Sequence, residues 1–284
     1  MKGAKKLKNE AILDYYILNG DVYSTDNMDI FNQIGFPSIY EVIRVIDGIP
    51  LYFEDHIYRM RKSAELLGYE IFKSNEEIIN QISRLIKVNN SPNLNIKLLC
   101  SNLTEKNQII LVYFIESHYP TKQMYNRGIH TILFNSERKN PNAKVVNTSF
   151  REKVNEKIKA EKAYEAILVN SAGYITEGSR SNIFFVKDNS VYTAPAGDVL
   201  LGVTRKRIVA LCKNVGINVV EKNVHVDNLD EIDGLFMTGT SVNVLPITTI
   251  DNKKYDSVNN EIIKRIGEEY LQDVRGYINL KKKK

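Results

Sequence analysis

The sequence predicts an α/β chain in two parts, a small α+β first half and a larger, strand-rich second half built as a barrel or a sandwich. Three observations point there. At 284 residues the chain can hold two modest domains, or one large one with a filled core. Its 43% hydrophobic and 26% charged residues are ordinary for a globular protein. Strand and helix patterns alternate through the first half, whereas short strands with few helices dominate the second.

Residues 40–46 and 50–53 read as strands flanking Asp47-Gly48, a dipeptide that reaches positive φ easily and so closes a two-residue hairpin. A helix follows, with Ile57, Met60, Ala64 and Leu67 at helical spacing and Gly68 as its stop. Ser74 caps a second helix that carries Ile78, Ile82, Leu85 and Ile86 on one face. Strands over 94–100 and 108–115 come next, joined by the polar loop SNLTEKN. The stretch ESHYPTKQMYNRG then turns irregular around Pro120 and reads as a linker. The expected division is a small domain over 1–116, a linker over 117–128 and a large domain over 129–284.

In the second half, strands are expected over 130–134, 166–170, 183–186, 191–194, 218–220 and 235–238, with helices over 150–163 and 204–214. A last amphipathic helix carries Ile262, Ile266, Tyr270 and Val274. Neither an internal repeat nor a low-complexity segment occurs outside the tails.

Several function classes recede at once. The longest apolar runs, such as QIILVYF, are strand-sized and too short to span a bilayer. No apolar stretch backs the lysines of MKGAKKLKNEAILDYY, so no signal peptide is expected. Cys100 and Cys212 sit in apolar runs far apart and read as buried free thiols, which implies an intracellular, cytoplasmic protein. The net charge of +5 depends on Lys2, Lys5, Lys6, Lys8 and Lys281 to Lys284. Without those eight terminal lysines it becomes −3, so the expectation is solvated tails and no nucleic-acid partner.

Polar clusters at strand edges are where chemistry belongs. Thr176-Glu-Gly-Ser-Arg-Ser-Asn182 joins two apolar strands and is either a site or a turn made by Gly178. Leu200-Leu-Gly-Val-Thr-Arg205 opens a helix, where a hydroxyl and N–H groups suit a phosphate, or where Thr204 simply caps. Thr238-Gly-Thr-Ser241 is a small-residue turn that binds an anion or merely reverses the chain. Arg59, in His56-Ile-Tyr-Arg59, lies on an amphipathic helix, where an arginine is usually a solvated charge.

Read together and in order, the clusters become specific. Asn140-Pro-Asn-Ala-Lys144, Tyr164-Glu-Ala-Ile-Leu168, Glu177-Gly-Ser, Gly202-Val-Thr-Arg205 and Gly239-Thr240 form a series that resembles the class IV aminotransferases. These are pyridoxal-phosphate enzymes of fold type IV. They include branched-chain and D-amino-acid aminotransferases and aminodeoxychorismate lyases. The resemblance runs from about Tyr40 to Asp251.

The resemblance implies a role for each matched position. Lys144 matches the lysine that holds the cofactor as a Schiff base and shuttles the α-proton. Glu177 matches the carboxylate that keeps the pyridine nitrogen protonated. Arg59 matches the arginine on the cofactor phosphate. Val203, Thr204 and Thr240 resemble further phosphate contacts, Leu200 the residue under the ring, and Tyr40 the tyrosine of the site wall. On the substrate side, Arg44 fits a branched-chain pattern, and Lys97 stands where some members have an arginine. Tyr40 and Ser241 also face substrate in this reading. The arginine and histidine of the better-known D-specific enzymes are missing from Leu98-Leu-Cys-Ser-Asn102. Arg180 either holds a substrate carboxylate instead or points outward.

The family fold has a small α/β N-terminal domain and a larger barrel-like C-terminal domain, as in D-amino-acid aminotransferase. Family members pair as homodimers, so a homodimer is expected, with no membrane partner and no metal. The implied reaction is ping-pong transfer of an amino group from an amino acid to 2-oxoglutarate or another 2-oxo acid. A branched-chain L-amino-acid donor ranks first, a D-amino acid second and a lyase releasing pyruvate third. A non-catalytic scaffold would have no reason to keep both Lys144 and Glu177.

Overall fold

The computed structural model describes residues 7, 10–90, 93–104, 107–138 and 140–283. Their backbone divides into two compact units, one within Met1–His118, Ala143–Val146 and Gly276–Lys284, the other within Tyr119–Asn142 and Asn147–Arg275.

The first unit opens with β1 (Tyr15–Leu18) and β2 (Asp21–Ser24), two strands too short for the sequence pattern to announce. Their turn is Asn19-Gly20, both residues at positive φ, as a tight hairpin requires. Next come β3 (Ile39–Ile46) and β4 (Ile49–Pro50), hairpinned at Asp47-Gly48 as expected. The strand expected over 50–53 stops at Pro50. Tyr52 takes a left-handed conformation, buries its ring edge-on against Tyr277 at 5.0 Å, and turns the chain into α1 (Phe53–Leu66). A bulky residue adopts positive φ only when tertiary packing compels it, and no local signal announces that.

Helix α1 stops before Gly68, whose φ of 78° turns the chain so that Tyr69 N–H reaches the Ala64 carbonyl, while Gly68 N–H donates to the Glu65 carbonyl. Helix α2 (Asn75–Asn89) starts at a reciprocal capping box in which Glu77 N–H donates to Ser74 Oγ and Ser74 N–H donates to Glu77 Oε2. Strands β5 (Asn95–Ser101) and β6 (Ile109–Ile115) complete an antiparallel sheet in the order β2-β1-β6-β5-β3-β4.

Alternation sorts this sheet into two faces. Ile43, Val45, Ile96, Leu98, Ile110 and Val112 pack under the apolar stripes of α1 and α2. Deleting one of these buried side chains, for example Met60→Ala, costs about 2–5 kcal/mol. The opposite face carries Tyr16, Leu99, Leu111 and Tyr113 around Phe31.

The second unit contains α3 (Lys122–Arg127), β7 (Ile129–Asn135), α4 (Thr148–Ala160), β8 (Glu165–Val169), β9 (Tyr174–Gly178) and β10 (Asn182–Lys187). It continues through β11 (Ser190–Thr193), α5 (Val203–Asn214), β12 (Val219–Glu221), β13 (Val224–His225), β14 (Gly234–Gly239), β15 (Asn243–Ile250) and β16 (Lys253–Lys254). The stretch read as irregular between the halves thus includes the short helix α3, capped by Thr121. Among the described residues the sheet runs β12-β11-β10-β14-β15-β7-β8-β9-β13, with β16 on β15. It curls into a half-barrel. Its apolar core includes Ile167, Ile183, Phe185, Leu235, Met237, Leu245 and Ile247.

The last helix, α6 (Glu261–Lys282), turns its buried face through Ile263, Ile266, Tyr270, Val274 and Ile278. Ile262, expected in that row, is half-buried at its edge. Lys281 pairs with Glu54, and Lys282 with Asp47 at 2.8 Å, so these lysines belong to an ordered helix end and not to a loose tail. Lys2, Lys5, Lys6, Lys8 and Lys284 lie outside the described residues. Both cysteines are free and buried, and burial pushes the thiols up to about 12 at Cys100 and about 11 at Cys212. Among the described residues no helix is long and apolar enough to cross a membrane.

Candidate functional site

Strand β3 presents consecutive side chains to opposite faces, and this sets up the first cluster. Tyr40 and Arg44 stand half-buried on the face that carries Lys97, while Glu41 is wholly buried on the face beneath α1. The Lys144 ammonium lies 4.7 Å from the Tyr40 ring centroid and that of Lys97 lies 5.0 Å from it, both within cation–π range. Lys97 is itself engaged by the Glu10 carboxylate, which also accepts from Tyr113 Oη at 3.4 Å.

The backbone around Lys144 is held from two sides. Tyr40 N–H donates to the Lys144 carbonyl at 3.2 Å, and Val146 N–H donates to the Ser38 carbonyl at 3.0 Å. Lys144 N–H donates to Ser63 Oγ at 3.1 Å, one turn beyond Arg59 on α1. A short segment thereby gains the register of a strand with no run of its own.

Arg59 is not a solvated charge. Its Nε donates to Glu41 Oε1 at 2.7 Å and its Nη2 to Oε2 at 2.5 Å, while His56 Nδ1 meets Oε2 at 2.8 Å. Burial alone would raise the Glu41 carboxyl, but the charge and hydrogen bonds of Arg59, helped by His56, hold it down at about 2. Burial lowers the His56 imidazole, with the Arg59 and Lys144 charges acting the same way and Glu41 opposing.

The second cluster lies at the end of β9. Glu177 is 3% exposed. Its Oε1 lies 3.3 Å from Arg138 Nε, and its Oε2 accepts the Leu200 N–H at 3.2 Å. Arg138 Nη2 also donates to the Ser179 carbonyl, and its guanidinium stands over the Phe150 ring. A Cβ on Gly178 would fall 1.9 Å from Ser181 Oγ, so a larger residue in this turn would push that hydroxyl off the Glu165 carboxylate.

Buried Glu165 organises that turn. Its Oε1 accepts from Ser179 Oγ at 2.6 Å and Ala166 N–H at 2.9 Å; its Oε2 accepts from Ser181 Oγ at 3.1 Å and Arg180 N–H at 3.3 Å. The Arg180 side chain is exposed and donates to Asn155 Oδ1 at 3.0 Å. Arg151 adds donors to both Ser179 oxygens.

Helix α5 begins at Gly202, which offers no side-chain cap to the first-turn amides. A Cβ there would lie 2.2 Å from Asn182 Oδ1, and Asn182 Nδ2 in turn donates to the Leu200 carbonyl. Val203 and Thr204 are buried in this first turn, and the first turn of a helix leaves backbone N–H groups without intrahelical partners, which suits an anion. Thr240 and Ser241 sit half-buried in the turn between β14 and β15, and Gly239 beside them approaches the Arg180 carbonyl. A cleft of about 190 Å³ borders Arg138, Asn170, Thr176, Glu177, Gly197 and Asp198.

The first unit therefore brings together Tyr40, Arg59 and Lys144, with Arg44 on the Tyr40 face of the same sheet. The second brings Glu177 beside Leu200 and the start of α5. Sequence reasoning missed Glu41, His56, Ser63, Arg138 and Glu165. Glu41 left a readable trace, a charge at an inward position of an alternating strand, and His56 lies one helical turn before Arg59. Arg138 left none, since it lies in an irregular stretch. Among the described residues no cluster of three or more His, Cys, Asp or Glu could hold a metal ion.

The model of the family described as amino-transferase class IV matches residues 38–250. The chain is 31% identical over 230 residues to D-alanine aminotransferase of Bacillus licheniformis, covering 77% of this chain and 81% of that protein. It is 31% identical over 251 residues to a probable branched-chain-amino-acid aminotransferase of Rickettsia conorii, covering 84% and 87%. Its fold matches the T.th. branched-chain amino acid aminotransferase solved with pyridoxamine 5'-phosphate, at a TM-score of 0.81, 24% identity, and coverage of 94% and 96%.

Proposed function

This chain belongs to the class IV aminotransferase family, and from that premise we propose a pyridoxal-phosphate enzyme that moves the amino group of a branched-chain L-amino acid to 2-oxoglutarate or another 2-oxo acid. The observation that carries the reading is Lys144, an amine set against the Tyr40 ring on a backbone held from both sides. The donor set fits the cofactor. An uncapped helix start at Gly202 and the guanidinium of Arg59 suit its phosphate. A buried carboxylate at Glu177 suits a protonated ring nitrogen.

In this reading Lys144 Nζ holds the cofactor aldehyde, Arg59, Val203, Thr204 and Thr240 hold the phosphate, and Leu200 and Tyr40 wall the ring. When bound, the cofactor supplies the electron sink that makes the substrate α-proton removable. Lys144 Nζ takes that proton and returns it, which requires the amine to be neutral at that moment. Hydrogen bonds of the Lys144 backbone to Tyr40 and Ser63 fix the point from which the amine swings. Arg138 and Leu200 N–H hold Glu177 against rotation.

Arg44, Tyr40, Arg180 and Ser241 are the proposed substrate contacts, and the working form is a homodimer in the cytoplasm. The 31% identity to a probable branched-chain-amino-acid aminotransferase supports the branched-chain donor. The 31% identity to a D-alanine aminotransferase favours a D-amino acid as the second reading.

Borohydride reduction of the purified, coloured protein and peptide mapping should place the cofactor on Lys144, and Lys144→Ala should fold without turning over. Label on another lysine would refute the assignment. A panel of L- and D-amino acids against 2-oxoglutarate should give turnover with L-leucine, L-isoleucine or L-valine, and less with D-alanine. Strong turnover of D-alanine with none of L-leucine would select the second reading.

A further inference from the structure

Glu41 has no part in the chemistry above, yet it is wholly buried in the first unit among groups that do. A buried carboxylate is sustained only by donors that replace its water. Here Arg59 contributes Nε and Nη2 to its two oxygens, and His56 Nδ1 approaches Oε2. Such a two-point contact fixes the plane of the guanidinium as well as its position. Alternation along β3 makes this possible, because the strand that turns Tyr40 toward Lys144 turns Glu41 toward α1. On α1, His56, Arg59 and Ser63 follow at intervals of three and four residues and share one face. Ser63 donates to the Arg59 carbonyl and receives the Lys144 amide, so that end of the face is tied to the Lys144 segment.

We propose that Glu41, assisted by His56, is a positioning residue that aims the Arg59 guanidinium at the cofactor phosphate. This rests on the assignment of Arg59 to the phosphate in the proposed function. Two opposing effects are at stake. The Glu41 charge repels a phosphate dianion, whereas the two-point contact pre-orders a long, entropy-rich side chain. The proposal is that orientation outweighs repulsion, since an arginine without its partner leaves a buried charge uncompensated and must turn toward other acceptors.

The test compares pyridoxal phosphate with pyridoxal, which carries the same aldehyde and ring but no phosphate. Both are titrated by fluorescence into the full-length chain freed of cofactor, as wild type, Glu41→Gln and Glu41→Asp. Glu41→Gln should weaken pyridoxal phosphate about 10- to 100-fold, the range expected for a lost charged hydrogen bond, and change pyridoxal by less than about threefold. Glu41→Asp, which restores the charge, should recover part of the loss. His56→Gln, which keeps the Arg59 contact, should give a smaller loss confined to pyridoxal phosphate, and it carries the test if Glu41→Gln does not fold. Equal losses for both ligands would mean a merely structural carboxylate and overturn the proposal. Tighter binding of pyridoxal phosphate by Glu41→Gln would mean that repulsion dominates, and would overturn it too. A wild-type chain that binds neither ligand refutes the functional reading itself, a failure visible before any variant is made.

Discussion

Replacing Glu165 with glutamine changes one oxygen to an amide nitrogen and little else in shape. The carboxylate is 3% exposed and accepts four hydrogen bonds, from Ser179 Oγ, Ala166 N–H, Ser181 Oγ and Arg180 N–H. Glutamine can keep one pair of these. On the side that becomes NH₂, the serine hydroxyl can rotate to accept, but a backbone N–H cannot. Two hydrogen bonds to a charge, each contributing about 1.5–3 kcal/mol, are lost, and about 1 kcal/mol returns through the rotated hydroxyl. The net cost is roughly 2–5 kcal/mol. Total stabilities are about 5–15 kcal/mol, so this is a large share. In a unit of this size it should lower the melting temperature by roughly 4–20 °C. Scanning calorimetry measures that directly. Trypsin adds a local readout, because loosening of the 178–181 turn should speed cleavage after exposed Arg180. A variant that melts within about 1 °C of wild type and resists trypsin equally would refute the view that Glu165 holds this turn.

Acid should destabilise the protein in two windows. The folded His56 imidazole titrates below its usual value, so the unfolded chain binds more protons as pH falls through about 6.5 and stability drops. The Glu41 carboxyl is held at about 2, so its contribution is present above about 4.5 and lost as pH falls toward 2. Urea melts across pH should show both losses, with the upper one flattened in His56→Asn; an unchanged upper slope in that variant contradicts the assignment. Glu177→Gln should retain bound cofactor by absorbance while turnover falls at least about 100-fold, and wild-type turnover in this variant would exclude the electronic role proposed for Glu177. Arg180→Ala should raise the Michaelis constant for dicarboxylate substrates more than it slows turnover, as when a carboxylate contact is lost from ground and transition state alike. An unchanged constant would mean that Arg180 serves only its contact with Asn155.

Local codes in the sequence were enough to determine several features. The Asp47-Gly48 hairpin, the Ser74–Glu77 capping box, the Gly68 stop and the apolar stripe of α2 depend on residues within one or two turns of each other. Asn19-Gly20 carries the same hairpin signal, but Tyr15–Leu18 beside it is only four residues long, too short to show an alternating pattern. The ordered series from Lys144 to Gly239-Thr240 was legible as a family pattern, since chemistry restricts which residue types serve at each point.

Other features only the tertiary structure decided. Residues 50–53 have a strand-like composition, but burial of Tyr52 against Tyr277, more than two hundred residues away, ends the strand at Pro50 and starts a helix at Phe53. Strand β15 hides behind Pro246 and its threonines, and pairing on both sides reveals it. Arg59 reads as a solvated charge on an amphipathic helix until Glu41 appears beneath it. Glu165 and Arg138 acquire meaning only when the turn after Glu177 folds back onto them. The physical reason is common to all of these. A cap or a hairpin is stabilised by neighbours in the chain, whereas a buried charge requires a partner that sequence distance does not specify and that only the completed packing supplies.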